Sequence, residues 1–290
     1  MRPSLRILLL TAALAAPAAL ACEGICDNSF LLEEGYNQDP GMVQSVQTFS
    51  FQPGIDAWDY SFSQEWPAWE RKHQLSYTVP AGRANGEGGV GDIQITYRHN
   101  LLHWDDDVFI LSARATLVLP TGNAARGLGA GSFGVQTAAA VSVLPLKWLQ
   151  FNTNLAMSFP FDAAPAAGGS FTFGQSVVWK AHNHFNALVE AIYVHPVTPQ
   201  GDGGTVAPDL FISPGVRFSI DLPFGIQVVP GVAVPIGVGP SAGSWNLFFY
   251  LSVENPFVLD EKKDDEKKPD EPKPEAPKPE TPEQPVTPAS

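Results

Sequence analysis

The chain has 290 residues, 30 of them acidic and 17 basic, for a formal net charge of −13. Only 16% of residues are charged, against roughly 25% in an ordinary soluble domain. The acidic balance argues against nucleic acid as a partner, and no apolar run reaches the length of a spanning helix.

The first residues read as an export signal. Arg2 and Arg6 precede an apolar run from Ile7 to Leu20, and Ala19-Leu20-Ala21 is an A-x-A cleavage site. Residues 1–21 are therefore expected to be removed, leaving Cys22 first. A cysteine there raises lipidation, although the lipoprotein box wants leucine where Ala19 stands. Cys22 and Cys26 are the only cysteines, and an oxidising compartment would let them pair as a local disulfide. Their spacing fits neither haem attachment nor a zinc site, so no cofactor and no metal are expected.

Residues 22–42 form a lead-in. Asp27, Asn28 and Ser29 resemble a helix cap before Phe30-Leu31-Leu32-Glu33-Glu34, with Gly35 as a stop, which predicts one amphipathic helical turn. Such a segment could enter a barrel lumen as a plug, lie at its periplasmic mouth, or stay a disordered lead-in.

Twelve strands are predicted after it, at 43–51, 58–66, 73–79, 90–100, 108–119, 132–143, 148–159, 170–180, 185–194, 210–221, 226–235 and 245–254. The clearest alternation runs from Ser132 to Phe159, with an apolar set on one parity and a small, polar set on the other. Runs of this length suit a tilted strand crossing a bilayer, which needs about 9–11 residues. An even number of such strands, after an export signal, points to an all-β, up-and-down antiparallel β-barrel of about 12 strands over 43–257, in the bacterial outer membrane.

The connections carry a rhythm. Those at 67–72, 101–107, 144–147, 181–184 and 222–225 are short; those at 81–89, 120–131, 160–169, 195–209 and 236–244 are mostly longer. Short periplasmic turns alternating with long outer loops would put both termini in the periplasm. Trp66, Trp69, Trp104, Trp148 and Trp179 sit beside the short turns, and Trp58 and Trp245 near the other rim, as interfacial girdles do. Pro214-Gly215-Val216 and Pro230-Gly231-Val232 break the pattern. Proline removes a ladder donor, so a bulge or local opening is expected there. A soluble β-domain that binds a ligand would tolerate such prolines at its edges.

If the apolar parity meets lipid, Asp59, Glu65, Asp92, Arg98, Arg114, Gln136, Asn152, Glu190 and Arg217 are candidates to line the lumen, with Gln94, Asn154 and Gln227. Phe211, Phe248 and Tyr250 share their parity and would offer aromatic surface to a greasy solute. Catalysis finds little support and no enzyme is expected. His103 with Asp105, Asp106 and Asp107, and His182 with His184, read as polar turns. His195 with Ser170 is the fallback pair for a lipid-face hydrolase. From Asp260 to Ser290 the tail holds 10 of the acidic and 6 of the basic residues, leaving 20 and 11 in the rest. With 8 prolines besides, residues 258–290 are expected to be a disordered periplasmic tail, with peptidoglycan or a periplasmic protein as a candidate partner.

The stretches Asn28-Ser29-Phe30-Leu31, Glu33-Glu34, Tyr36-Asn37-Gln38, Pro40-Gly41, Gln64-Glu65-Trp66-Pro67, Gly91-Asp92 and Leu119-Pro120-Thr121-Gly122 are similar to an outer-membrane transporter family associated with the meta-pathway of phenol degradation. The resemblance implies a barrel of twelve or a similar number of strands passing hydrophobic or aromatic compounds. It brings no binding residues with it. The reading is a channel for small, hydrophobic or aromatic solutes; the alternatives are a structural barrel whose tail anchors envelope partners, or a soluble ligand-binding β-domain.

Overall fold

The computed structural model describes residues 24–25, 29–84, 86–104, 108–161, 168–197 and 207–257. Twelve antiparallel strands follow one another around a closed wall. They are β1 (Met42–Phe51), β2 (Trp58–Ala68), β3 (Glu70–Ala84), β4 in two pieces (Glu87–Val90 and Gln94–Trp104), β5 (Phe109–Val118) and β6 (Gly134–Leu146). They continue as β7 (Leu149–Pro160), β8 (Gly169–His182), β9 (Phe185–Val197), β10 in two pieces (Asp209–Phe218 and Ile220–Asp221), β11 in two pieces (Gln227–Ala233 and Ile236–Gly237) and β12 (Leu247–Pro256). The wall closes where β12 pairs with β1, from Met42↔Pro256 to Phe51↔Leu247.

Closure follows from the alternation. Leu117, Leu155, Phe173, Val189 and Phe249 are exposed on the outer face, whereas Gln44, Gln150, Asn152, Ser176, Glu190 and Arg217 are at most 1% exposed. An apolar exterior around a polar interior suits a hydrocarbon surround, and closing the sheet leaves no unpaired edge there. Trp66, Trp69, Trp104, Trp148 and Trp179 are exposed around the end that carries the short turns.

All twelve expected strands form, but several run further than their patterns indicated. The expected connections at 67–72, 101–107 and 144–147 shrink because register shifts at Pro67/Ala68, Asn100/Leu102 and Val143/Leu146 absorb the broken alternation and let pairing continue. The expected loop at 81–89 is mostly ladder: Ala81–Ala84 pair with Glu87–Val90. Both proline-bearing strands stay in the wall. The β10–β11 seam keeps one register from Phe211↔Gly237 to Asp221↔Gln227, yet pairs form only in groups of two, three and two. The sequence left open a bulge or an opening; the seam opens without slipping.

Candidate functional site: a segment threaded through the lumen

Residues before β1 fill part of the interior. Gly24 lies against the short turn at Asn183, and its carbonyl is 3.5 Å from Gln227 Nε2. The segment Ser29–Gln38 then crosses inside the wall and leaves at the same end, where Asp39 pairs with Arg71 at 2.9 Å and Asn37 donates to the Arg71 carbonyl. Gly41, at a φ of 89°, turns the chain into β1.

No helical turn forms at Phe30–Glu34, because the backbone donors there bond to the wall instead. The Leu31 and Leu32 N–H groups donate to the Glu190 carboxylate at 3.1 Å, Glu33 N–H to Asn154 Oδ1 at 2.9 Å, and Gly35 N–H to Ser142 Oγ at 2.7 Å. Gln38 N–H donates to Gln74 Oε1 at 2.7 Å. In return Asn154 Nδ2 donates to the Glu33 carbonyl, and Arg98 Nε to Asn37 Oδ1 at 2.9 Å. Ser29 Oγ accepts from Asn152 Nδ2 and lies 3.0 Å from Ser176 Oγ. The segment therefore meets its polar obligations on strands spread around the wall.

Charges pair across the same space. Glu33 lies against Arg114 and, at 3.7 Å, Arg98; Arg98 also reaches Glu65 at 3.5 Å; Glu34 lies 3.5 Å from Arg217. Burying an ion alone costs several kcal/mol, so these arginines and carboxylates hold one another in place.

The other wall is apolar. Phe30 packs with Val46, Val178, Leu188, Ala233, Phe248 and Tyr250, its ring 5.9 Å from Phe248 and 5.2 Å from Tyr250. Here Gly215 and Gly231 become necessary, since a Cβ on either would stand 2.6 or 2.5 Å from the Phe30 ring. A Cβ on Gly174 would likewise strike Leu32.

Of the expected lumen residues, Glu65, Arg98, Arg114, Asn152, Glu190 and Arg217 converge on this network. Gln136 is half-buried further along the wall, and Asp59 is exposed near the end with the long connections. Asp92 does different work. It stands at the break in β4, where its carboxylate accepts from Gly122 N–H at 2.8 Å and Ala130 N–H at 2.7 Å. With Thr121 Oγ1, which accepts from Ile93 N–H, it straps the Leu119-Pro120-Thr121-Gly122 connection to the wall. A Cβ on Gly122 would collide with the Leu128 carbonyl, which explains the glycine in that motif.

Ser29, Glu33, Glu34, Asn37, Gln44, Gln74, Ser142 and Ser176 were absent from the expected set. A usable signal was the inward parity of Gly174, Gly215 and Gly231, gaps that matching bulk must fill. His195 and Ser170 cannot act together, since in register with Phe171 and Pro196 they fall on opposite faces of the wall. His184 Nδ1 is 3.0 Å from Ser219 Oγ and 3.6 Å from Asp221. Asp105, Asp106, Asp107, Cys22, Cys26 and the tail lie outside the described residues.

The fold is similar to the crystal structure of an outer-membrane channel from Pseudomonas putida F1, at 14% identity and a TM-score of 0.56, covering 76% of this chain and 97% of that one. The NanC porin aligns at 10% identity and a TM-score of 0.49, over 72% of this chain and 98% of its own. The KdgM porin aligns at 9% identity and a TM-score of 0.48, over 74% and 99%. Comparison with curated proteins finds no match. The model of the family described as "Putative MetA-pathway of phenol degradation" matches residues 33–234, more than half of the sequence, and the chain belongs to that family.

Proposed function

We propose that the protein is an outer-membrane channel for small hydrophobic or aromatic solutes, held closed at rest by its own segment Ser29–Gln38. The observation that carries this reading is the chemistry of the closure. A removable strap, tied by hydrogen bonds and ion pairs, occupies a lumen that is otherwise lined by wall side chains. Phe248 and Tyr250, beside the Phe30 ring, supply aromatic surface inside, and the family description names phenol degradation. The short turns face the periplasm in this reading, so the strap is released from that side.

Planar-bilayer conductance of the full chain and of a variant lacking residues 29–38 tests it. The deletion is expected to raise conductance at least about tenfold, because each ion-sized path now blocked becomes water-filled. A bilayer that stays silent with the deletion variant inserted would count against any channel. The same tight strapping also suits a sealed structural barrel whose tail at 258–290 anchors the envelope. Peptidoglycan retained by the full chain and lost with the tail, without conductance, would favour that reading.

A further inference from the structure

The outer face of the wall differs from one side to the other. From β5 to β8 it is mostly apolar, with Leu117, Phe159 and Phe173 exposed. The glutamine on that side, Gln175, is satisfied by the wall itself. Thr153 Oγ1 donates to its Oε1 at 2.8 Å, and its Nε2 donates to the Asn152 and Ser176 carbonyls at 3.1 Å. Strands β1 to β4 present another surface. The parity that exposes Phe49, Trp66, Leu75 and Ile95 also carries Ser45, Gln47, Tyr60, Gln64, Tyr77 and Tyr97. Tyr60 Oη donates to Gln47 Oε1 at 3.1 Å, Gln64 Nε2 to Ser45 Oγ at 3.3 Å, and Tyr77 Oη to Gln64 Oε1 at 3.0 Å. Tyr97 Oη lies 2.6 Å from His73 Nδ1.

This polar sector reaches the middle of the strands. Gln47 is the sixth of ten residues in β1, Gln64 the seventh of eleven in β2, and Tyr77 the eighth of fifteen in β3. Acyl chains offer no hydrogen bond at that depth, and a polar group left without one there is costly. The bonds within the sector do not use up its donors. Gln47 Nε2 has no partner among the described residues, and Gln64 Nε2 directs one of its two hydrogens to Ser45. Gln175 shows that the wall can satisfy an outward amide from its own backbone. On β1 and β2 it does not.

We propose that the outer face of β1–β4 is the contact between two copies of this chain in the membrane. The chemistry of the sector selects that partner. At this depth it holds no lysine, arginine, aspartate or glutamate, so a partner of opposite charge has nothing to recognise. Amide and phenol groups each donate and accept, which makes the set complementary to itself. Two copies inserted in the same direction are related by a two-fold axis along the membrane normal, and each group then meets its counterparts at its own depth. The open N–H groups of Gln47 and Gln64 find acceptors on the amides and phenols of the other copy, as polar side chains join helices within bilayers. Phe62 stands in the middle of the sector, in register with Gln47 and Val79 and with its ring 6.2 Å from Tyr77, and supplies apolar packing. The contact does not depend on which solute the barrel carries.

The test is thiol cross-linking of the full chain in intact outer membranes, in a background with Cys22→Ser and Cys26→Ser. Phe62→Cys puts one thiol at the centre of the sector and leaves every polar group in place. Phe173→Cys is the control, on β8, six strands round the wall from β2 in either direction. Oxidation with copper–phenanthroline is expected to convert most of the Phe62→Cys protein to a species of twice the monomer mass, with several-fold less from Phe173→Cys. Gln47→Leu with Gln64→Leu, which suits both positions to lipid, should lower the Phe62→Cys yield several-fold while heat-modifiable migration reports a folded barrel. Tyr77→Phe, the loss of one hydroxyl, should lower it in the same direction. Equal yields from Phe62→Cys and Phe173→Cys, or none from either, overturn the contact. A Phe62→Cys product of any other mass gives this face to a different partner and overturns it too. Undiminished linking in both the folded double-leucine protein and Tyr77→Phe would remove the polar groups from the contact, and the proposal with them.

Discussion

Between β6 and β7 the ladder runs through ten successive pairs, from Gly134↔Pro160 to Val143↔Phe151. Between β10 and β11 seven pairs form, in three groups. The two hairpins hold the same strap by opposite means. The first presents Ser142, Asn152 and Asn154, which bond to Gly35, Ser29 and Glu33. The second presents Gly215 and Gly231 and receives a phenyl ring. Polar groups on the strap need hydrogen-bonding side chains, here serine and asparagine, pointing inward from a regular wall. A bulky ring needs the wall itself to come close, and the glycines and prolines that allow this also loosen the ladder.

The largest expected effect breaks the polar half. Glu190→Ala leaves the buried N–H groups of Leu31 and Leu32 without their acceptor. Unfolding, followed as the loss of heat-modifiable gel migration in urea, should show a cost of about 3 kcal/mol. Glu190→Gln keeps an acceptor oxygen and should cost less. Equal midpoints for wild type and Glu190→Ala would show that the carboxylate does not hold the strap.

A slightly smaller contrast separates the two ladders directly. Amide hydrogens at 215–218 and 231–234 should exchange about 100-fold faster than those at 136–142, because an interrupted seam opens without breaking its neighbours. Equal protection would mean that the missing pairs carry no local consequence. Next in size, Gly231→Val drives a branched side chain into Phe30 and should cost about 2 kcal/mol. Adding Phe30→Ala should recover most of it, and two costs that merely add would place the strain elsewhere.

The same contrast decides what the sequence revealed. Alternation was legible wherever the outside is apolar and the inside polar, hence the early recognition of 132–159. It blurred in β1 because Val46 faces inward onto Phe30, and in β12 because Phe248 and Tyr250 do the same. Arg98, Arg114, Glu190 and Arg217 were found through parity, since a charge on the outer face is penalised. The strap was misread as a helical turn because Phe30, Leu31 and Leu32 make a compact apolar run between polar residues. Its path depends on acceptors 36 to 159 residues away in sequence, which no local pattern encodes.

The smallest effect tests whether the prolines or the glycines loosen the seam. Pro230→Val supplies one N–H directed toward Phe218, and a hydrogen bond in the wall adds roughly 0.5–1.5 kcal/mol. Proline's restriction of the unfolded chain is lost in exchange, at about 0.4–1 kcal/mol, so the net gain should stay below about 1 kcal/mol. Exchange should slow near Gly231 while the opposed Val216 and Val232 keep their packing, because Pro230 itself faces outward and valine fills nearly the same space. If protection does not rise, the missing donor is not what parts the strands. The close approach of Phe30 to Gly215 and Gly231 would then set the opening, and Phe30→Ala, by relieving it, should close the seam where Pro230→Val does not.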